Sequence, residues 1–68
     1  MKLKTGRFYV SRDQEVWCCF RERPAGPVHA RFNCIRVSDQ RIEYFYADGR
    51  YDSEGKREHT LTGEVDAP

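Results

Sequence analysis

A chain of 68 residues with a formal net charge of +1 has room for one domain and one thin core. Its hydrophobic content of 38% does not stretch to a core plus a deep substrate pocket of roughly 300–1,000 Å³. No apolar run approaches the roughly 20 residues that span a bilayer, and residues 1–6 lack the apolar segment of a secretory signal, so a single cytoplasmic domain over residues 1–68 with no membrane association is expected.

The elements, in chain order, read as short strands joined by turns. Residues 6–12 (Gly-Arg-Phe-Tyr-Val-Ser-Arg) form a first strand, and Asp13-Gln14 a tight turn. Residues 15–22 form a second strand, and Arg23-Pro24-Ala25-Gly26-Pro27 is a loop. A third strand is expected over 28–37, a turn at Ser38-Asp39-Gln40 and a fourth strand over 41–47. Asp48-Gly49 is a strong turn signal, 50–56 is loop-like, and 58–65 forms the last strand. No apolar stripe of helical period runs through ten residues. At most one helical turn is expected, near Ser53 to Arg57. The fold class is all-β: about five short antiparallel strands in a curled sheet or small open barrel.

Alternation assigns the faces. Phe8 and Val10, then Val16, Cys18 and Phe20, then Val28, Ala30, Phe32 and Cys34, then Ile42, Tyr44 and Tyr46, with Leu61 and Val65, form the expected core. Ile35 and Val37 fall out of phase with Cys34, which a bulge near Cys34 would reconcile. The opposite face then carries Arg7, Tyr9, Trp17, Cys19, Arg21, Arg31 and Phe45. Either the sheet curls far enough to bury Trp17 and Phe45, or they form an exposed patch framed by Arg.

Three cysteines, two of them adjacent, make a poor disulfide framework, so free structural thiols are expected, with Cys18 and Cys34 buried. Adjacent Cys18 and Cys19 point to opposite faces of a strand, and His29 and His59 stand at no recognised ligand spacing; no metal or other cofactor is expected. No nucleophile–base motif and no phosphate loop marks an enzyme.

Charge is uneven. Residues 1–36 carry eight basic groups against three acids, and residues 37–68 carry four against eight. Nine of the twelve basic residues are Arg, the cation of interfaces and phosphate sites. Arg7, Tyr9, Trp17, Arg21 and Arg31 are the expected partner site, because hot spots favour Trp, Tyr and Arg. The acidic half, with Asp48, Asp52, Glu54, Glu58 and Glu64, competes as a site for a basic groove.

Three segments resemble a recurring class of short phage- and prophage-encoded proteins of unassigned activity. Residues 6–13 (Gly-Arg-Phe-Tyr-Val-Ser-Arg-Asp) are similar to its opening G-x-Y-Y-x-T-R-D-G. Residues 46–51 (Tyr-Ala-Asp-Gly-Arg-Tyr) are similar to its Y-x-x-D-G-R, and residues 61–66 (Leu-Thr-Gly-Glu-Val-Asp) to its closing D-L-V-x-E-V. Gln14 stands where that class has a turn glycine, which points to a type I turn with a bulge, and 16–37 match nothing in the class. The resemblance implies a protein that binds a host protein or protein complex and inhibits or modulates it by occlusion, a CRISPR inhibitor being one concrete case. A small nucleic-acid-binding β-barrel module using Arg and aromatic residues is the alternative. The oligomeric state is open.

Overall fold

A computed structural model describes residues 1–68. Five strands form where aromatic and β-branched residues lie between turns: β1 (Phe8–Ser11), β2 (Val16–Glu22), β3 (Phe32–Arg36), β4 (Ile42–Phe45) and β5 (Leu61–Val65). They make one antiparallel sheet in the order β4-β3-β2-β1-β5. β1 to β4 follow one another as a meander. The chain then returns across the sheet to pair β5 with β1, and the sheet stays open, with β4 and β5 at its edges.

Turn chemistry fixes the register. At Ser11–Glu15 the N–H of Gln14 donates to the carbonyl of Ser11 (2.9 Å) and the N–H of Ser11 to the carbonyl of Glu15 (2.8 Å), with Gln14 at φ 67°. That is a type I turn closed by a left-handed residue, the form expected when glycine is missing. Tyr46–Arg50 repeats the pattern. Gly49 donates to the carbonyl of Tyr46 (2.9 Å), Tyr46 donates to that of Arg50 (2.9 Å), and Gly49 sits at φ 94°. The side chain of Ser11, buried beneath the first turn, donates to Asp13 and accepts from the N–H of Glu15.

The third strand is shorter than alternation implies. Residues 28–30 form a 3₁₀ turn, the one helical turn of the chain, in place of the turn expected near 53–57. Pro27 fixes φ at −64° just before it. The bulge expected at Cys34 lies instead on β2, between Cys19 and Arg21. β3 itself alternates without interruption, and Ile35 simply faces the other way from Cys34.

The face assignment needs correction. The core comprises Leu3, Tyr9, Trp17, Cys19, Phe32, Cys34, Phe45 and Leu61. Phe32, Cys34, Ala30 and Leu61 are buried as alternation implies. On β1, β2 and β4, however, the buried parity is that of Tyr9, Trp17, Cys19 and Phe45, and Phe8, Val10, Val16 and Cys18 are only half-buried. Phe20, Val28, Ile42 and Tyr44 are exposed. The physical reason is cover. The segment after β4 crosses one side of the sheet, bringing Ala47 and Tyr51 onto the core and His59 onto Trp17. Leu3 is tied to the same side by its N–H donating to the carbonyl of Ala47 (2.8 Å). The side that receives this layer buries the largest rings, because burial stabilises in proportion to apolar area.

Trp17 is the centre of that side. Its ring meets Phe45 edge-on at 5.3 Å and His59 at 5.3 Å. Tyr51 closes the ring of four, 5.7 Å from Phe45 and 5.0 Å from His59, in the edge-to-face geometry that aromatic quadrupoles favour. Burial of Trp17 and Phe45 is achieved by this covering segment and not by closure of the sheet.

Candidate functional site

The five residues expected to make the partner site do not converge. Tyr9 and Trp17 are completely buried and cannot touch a partner. The Tyr9 hydroxyl accepts from the N–H of Lys4 (2.9 Å), and burial raises its pKa. Arg7 is exposed but engaged, its guanidinium 3.0 Å from Glu64 across the β1–β5 edge. Arg21 and Arg31 remain available, at the two sides of the loop joining β2 to β3.

The competing acidic residues are dispersed and mostly occupied. Asp48 pairs with Arg50 across its own turn (2.9 Å). Burial works to raise its pKa, but the N–H and guanidinium of Arg50 prevail and hold it below the usual range. Asp52 organises the loop after it, accepting from the N–H groups of Glu54 (3.3 Å) and Arg57 (3.0 Å); the bond from Arg57 leads in holding its carboxyl low. Glu54 pairs with Lys56 (3.0 Å), and Glu64 with Arg7. Glu58 is exposed and uses its backbone carbonyl to accept from Asp13 (3.2 Å).

What the fold does bring together is a different set at the same end of the sheet. Of nine Arg residues, Arg7, Arg36, Arg41 and Arg50 stand in ion pairs. Arg21, Arg23 and Arg31 do not, and all three border the loop over residues 23–31. The loop is tightly built. Arg23 donates from its N–H to the carbonyl of Arg31 (2.6 Å), Gly26 to that of Arg23 (3.0 Å), and Ala30 to that of Pro27 (2.9 Å). Arg31 Nε donates to the carbonyl of Gly26 (2.9 Å), which fixes the guanidinium against the loop. A Cβ on Gly26 would stand 2.8 Å from the carbonyl oxygen of Ala30, so only glycine fits there. The Arg23 guanidinium lies over the ring of Tyr44 at 4.9 Å. Arg21 and Arg23 share one open depression with Glu22 and Pro24, Arg31 lines another with Val28 (61% exposed) and Asp48, and Phe20 (45%) and Tyr44 (50%) are also exposed. Sequence reasoning named Arg21 and Arg31 and missed Arg23, Phe20, Val28 and Tyr44; Pro24 and Pro27 flanking the loop were the available sign of a rigid presenting loop.

The opposite end of the molecule carries mixed charge. Arg12, Asp13, Lys56, Arg57 and Glu58 line an open depression of about 490 Å³ with no apolar wall, unlike the mostly apolar lining of small-molecule sites. A smaller depression of about 250 Å³ holds Glu43, Tyr51, His29 and Asp52. There the Tyr51 hydroxyl donates to Glu43 (2.9 Å), which also accepts from Arg41 (2.6 Å).

The cysteines divide by face. Cys19 and Cys34 are cross-strand partners, buried on the inner side. The hydrogen bond to Cys19, together with burial, pushes the Cys34 thiol up, so it stays neutral. Cys18, expected in the core, faces the other way and is half-buried; the parity reversal on β2 exchanges it with Cys19. No group of three or more His, Cys, Asp or Glu side chains is placed to hold a metal ion, and no helix is long and apolar enough to cross a membrane. The chain matches no family model, no curated protein and no solved structure.

Proposed function

We propose that this chain is a small binding protein of the phage or mobile-element kind, acting without catalysis by occluding a site on a host protein or protein complex. The observation that carries the proposal is the gathering of Arg21, Arg23 and Arg31 around a rigid loop, with none of the three in an ion pair. Of the six other arginines, Arg7, Arg36, Arg41 and Arg50 are matched to carboxylates, while Arg12 and Arg57 stand unpaired at the opposite end. Three unmatched guanidiniums beside exposed Phe20, Tyr44 and Val28 fit an acidic, partly apolar surface on the partner. Arg and aromatic anchors of this kind contribute most where they become desolvated, and a preformed loop lowers the ordering cost. Anti-defence activity such as CRISPR inhibition is one such occlusion.

The experiment is capture from a lysate of the host cell with two folded double variants. Arg21→Glu with Arg23→Glu is expected to lose the captured protein, and Asp52→Lys with Glu54→Lys to retain it. Loss confined to the acidic variant refutes this choice of surface.

A second reading has its own observation. Phe20 and Tyr44 stand exposed on an open sheet beside unpaired Arg side chains, the arrangement on which single-stranded bases stack. Mobility shifts with mixed RNA and DNA at two salt concentrations separate the readings. Phosphate neutralisation makes nucleic-acid affinity fall steeply with salt, and no shift at physiological salt is expected for the protein-binding reading.

A further inference from the structure

We propose that the outer face of the sheet seats a second copy of this chain, packed face to face about a two-fold axis beside Cys18. Strand register builds this face. Val65 pairs with Phe8, Phe8 with Cys18, Cys18 with Ile35 and Ile35 with Ile42. One apolar row therefore crosses all five strands, with Cys18 at its middle on the central strand β2. Val10 pairs with Val16 in the next row on one side. On the other side Tyr44 stands opposite Asn33, with Phe20 in the bulge of β2. The covering segment and Leu3 lie on the inner side, and the outer side leaves Ile42 56% exposed and Tyr44 50% exposed. A sheet apolar on both faces is completed by a layer on each.

Area and charge name the occupant. Five strands about 4.8 Å apart and three rows about 6.7 Å apart give a footprint of roughly 24 by 20 Å; with side-chain relief, two copies bury on the order of 1,000–1,200 Å², just past what a specific interface needs. Arg21, opposite Asn33, is the one charged residue within these rows, and the Arg23 guanidinium lies over the ring of Tyr44 at their edge. An isologous two-fold running across the strands sets the two Arg21 side chains at opposite ends, whereas stacking in parallel would superimpose them. The small Cys18 side chain lets the sheets approach at the axis, while Phe8 and Ile35 on either side interdigitate with those of the partner copy. The dimer covers Phe20 and Tyr44 and leaves the Arg23–Arg31 loop at each end. The chain alone forms the dimer, so its test needs no host partner, but the dimer and the host surface proposed above compete for Phe20, Tyr44 and Arg21.

The test uses the purified full chain. Sedimentation equilibrium across a concentration series is expected to show the mass rising from 8.0 kDa to twice that value. Alkylation of Cys18, followed by mass spectrometry, is expected to slow at least tenfold over the same series. Ile42→Lys, a change at an exposed position, is expected to keep the circular dichroism spectrum, remain at monomer mass and abolish the concentration dependence of alkylation. A wild-type mass constant at 8.0 kDa at the highest concentration overturns the proposal. So does a dimer whose Cys18 reactivity is independent of concentration, or one that persists in Ile42→Lys, since either dimer uses another surface.

Discussion

Replacing Trp17 by Ala tests the whole arrangement of layers. Trp17 is the only tryptophan, is completely buried, and touches Phe45 and His59 edge-on at 5.3 Å each. The Arg36 guanidinium covers it from the rim at 5.4 Å. Truncating a buried Trp costs about 3–5 kcal/mol from lost transfer energy and the cavity left behind. A 68-residue domain has roughly 3–10 kcal/mol in total. With an unfolding entropy of about 0.14 kcal/mol/K for this length, a loss of 4 kcal/mol lowers Tm by about 28 °C. The variant is therefore expected to be partly or wholly unfolded at 37 °C.

Trp17→Phe makes the control. It keeps an aromatic ring against Phe45 and removes the indole N–H, which is buried without a partner. An unpaired buried donor costs about 1–3 kcal/mol, so its removal offsets much of the lost area, and a net change of about 1 kcal/mol is expected. Thermal unfolding followed by circular dichroism reads both variants, and iodide quenching of wild-type fluorescence reads the burial directly. If Trp17→Ala melts within 5 °C of wild type, or iodide quenches Trp17 freely, the assignment of the inner face is refuted.

Further outcomes follow from single positions. Gln14 adopts φ 67°, where a side chain costs about 1–2 kcal/mol and glycine does not; after the extra chain entropy of glycine, about 0.5–1 kcal/mol, Gln14→Gly is expected to raise Tm by a few degrees. Gly49→Ala runs the other way, because at φ 94° a new Cβ stands 3.2 Å from that of Leu61; a loss of about 1–2 kcal/mol should appear as a lower Tm. The Arg36 guanidinium beside Asp39 lowers that carboxyl from 3.8 to about 2. A group depressed in the folded state stabilises above its unfolded value and loses that contribution as pH falls through the folded one. The urea midpoint should therefore drop between pH 4 and 2, and less steeply in Asp39→Asn.

The strands were legible because turn chemistry is local. Asp13-Gln14, the Pro24–Pro27 loop, Asp39-Gln40 and Asp48-Gly49 each end a strand by backbone preferences that depend on a few neighbouring residues. The roles of the acids were not legible for the opposite reason. Asp52 accepts from Glu54 and Arg57 only once its loop has closed, and Glu64 meets Arg7 from 57 positions away. Cys18 and Cys19 exchanged places because one parity error on β2 moves every side chain of the strand.

That error has a physical cause. On β1 and β2, Phe8, Val10, Val16, Cys18 and Phe20 form as good an apolar alternation as Tyr9, Trp17 and Cys19, and on β4 Ile42 and Tyr44 compete with Phe45. Only β3, where Asn33 interrupts one parity, resolves the choice in the sequence. The decision elsewhere falls to whichever side the segment from Tyr46 to Thr60 covers, and this is settled by a contact between residues far apart in the chain. Strands apolar on both parities are the pattern of sheets buried on both faces. Here the segment after β4 covers one face and leaves Ile42 and Tyr44 exposed on the other, so the pattern that obscured the core is also the feature from which the outer contact surface is proposed.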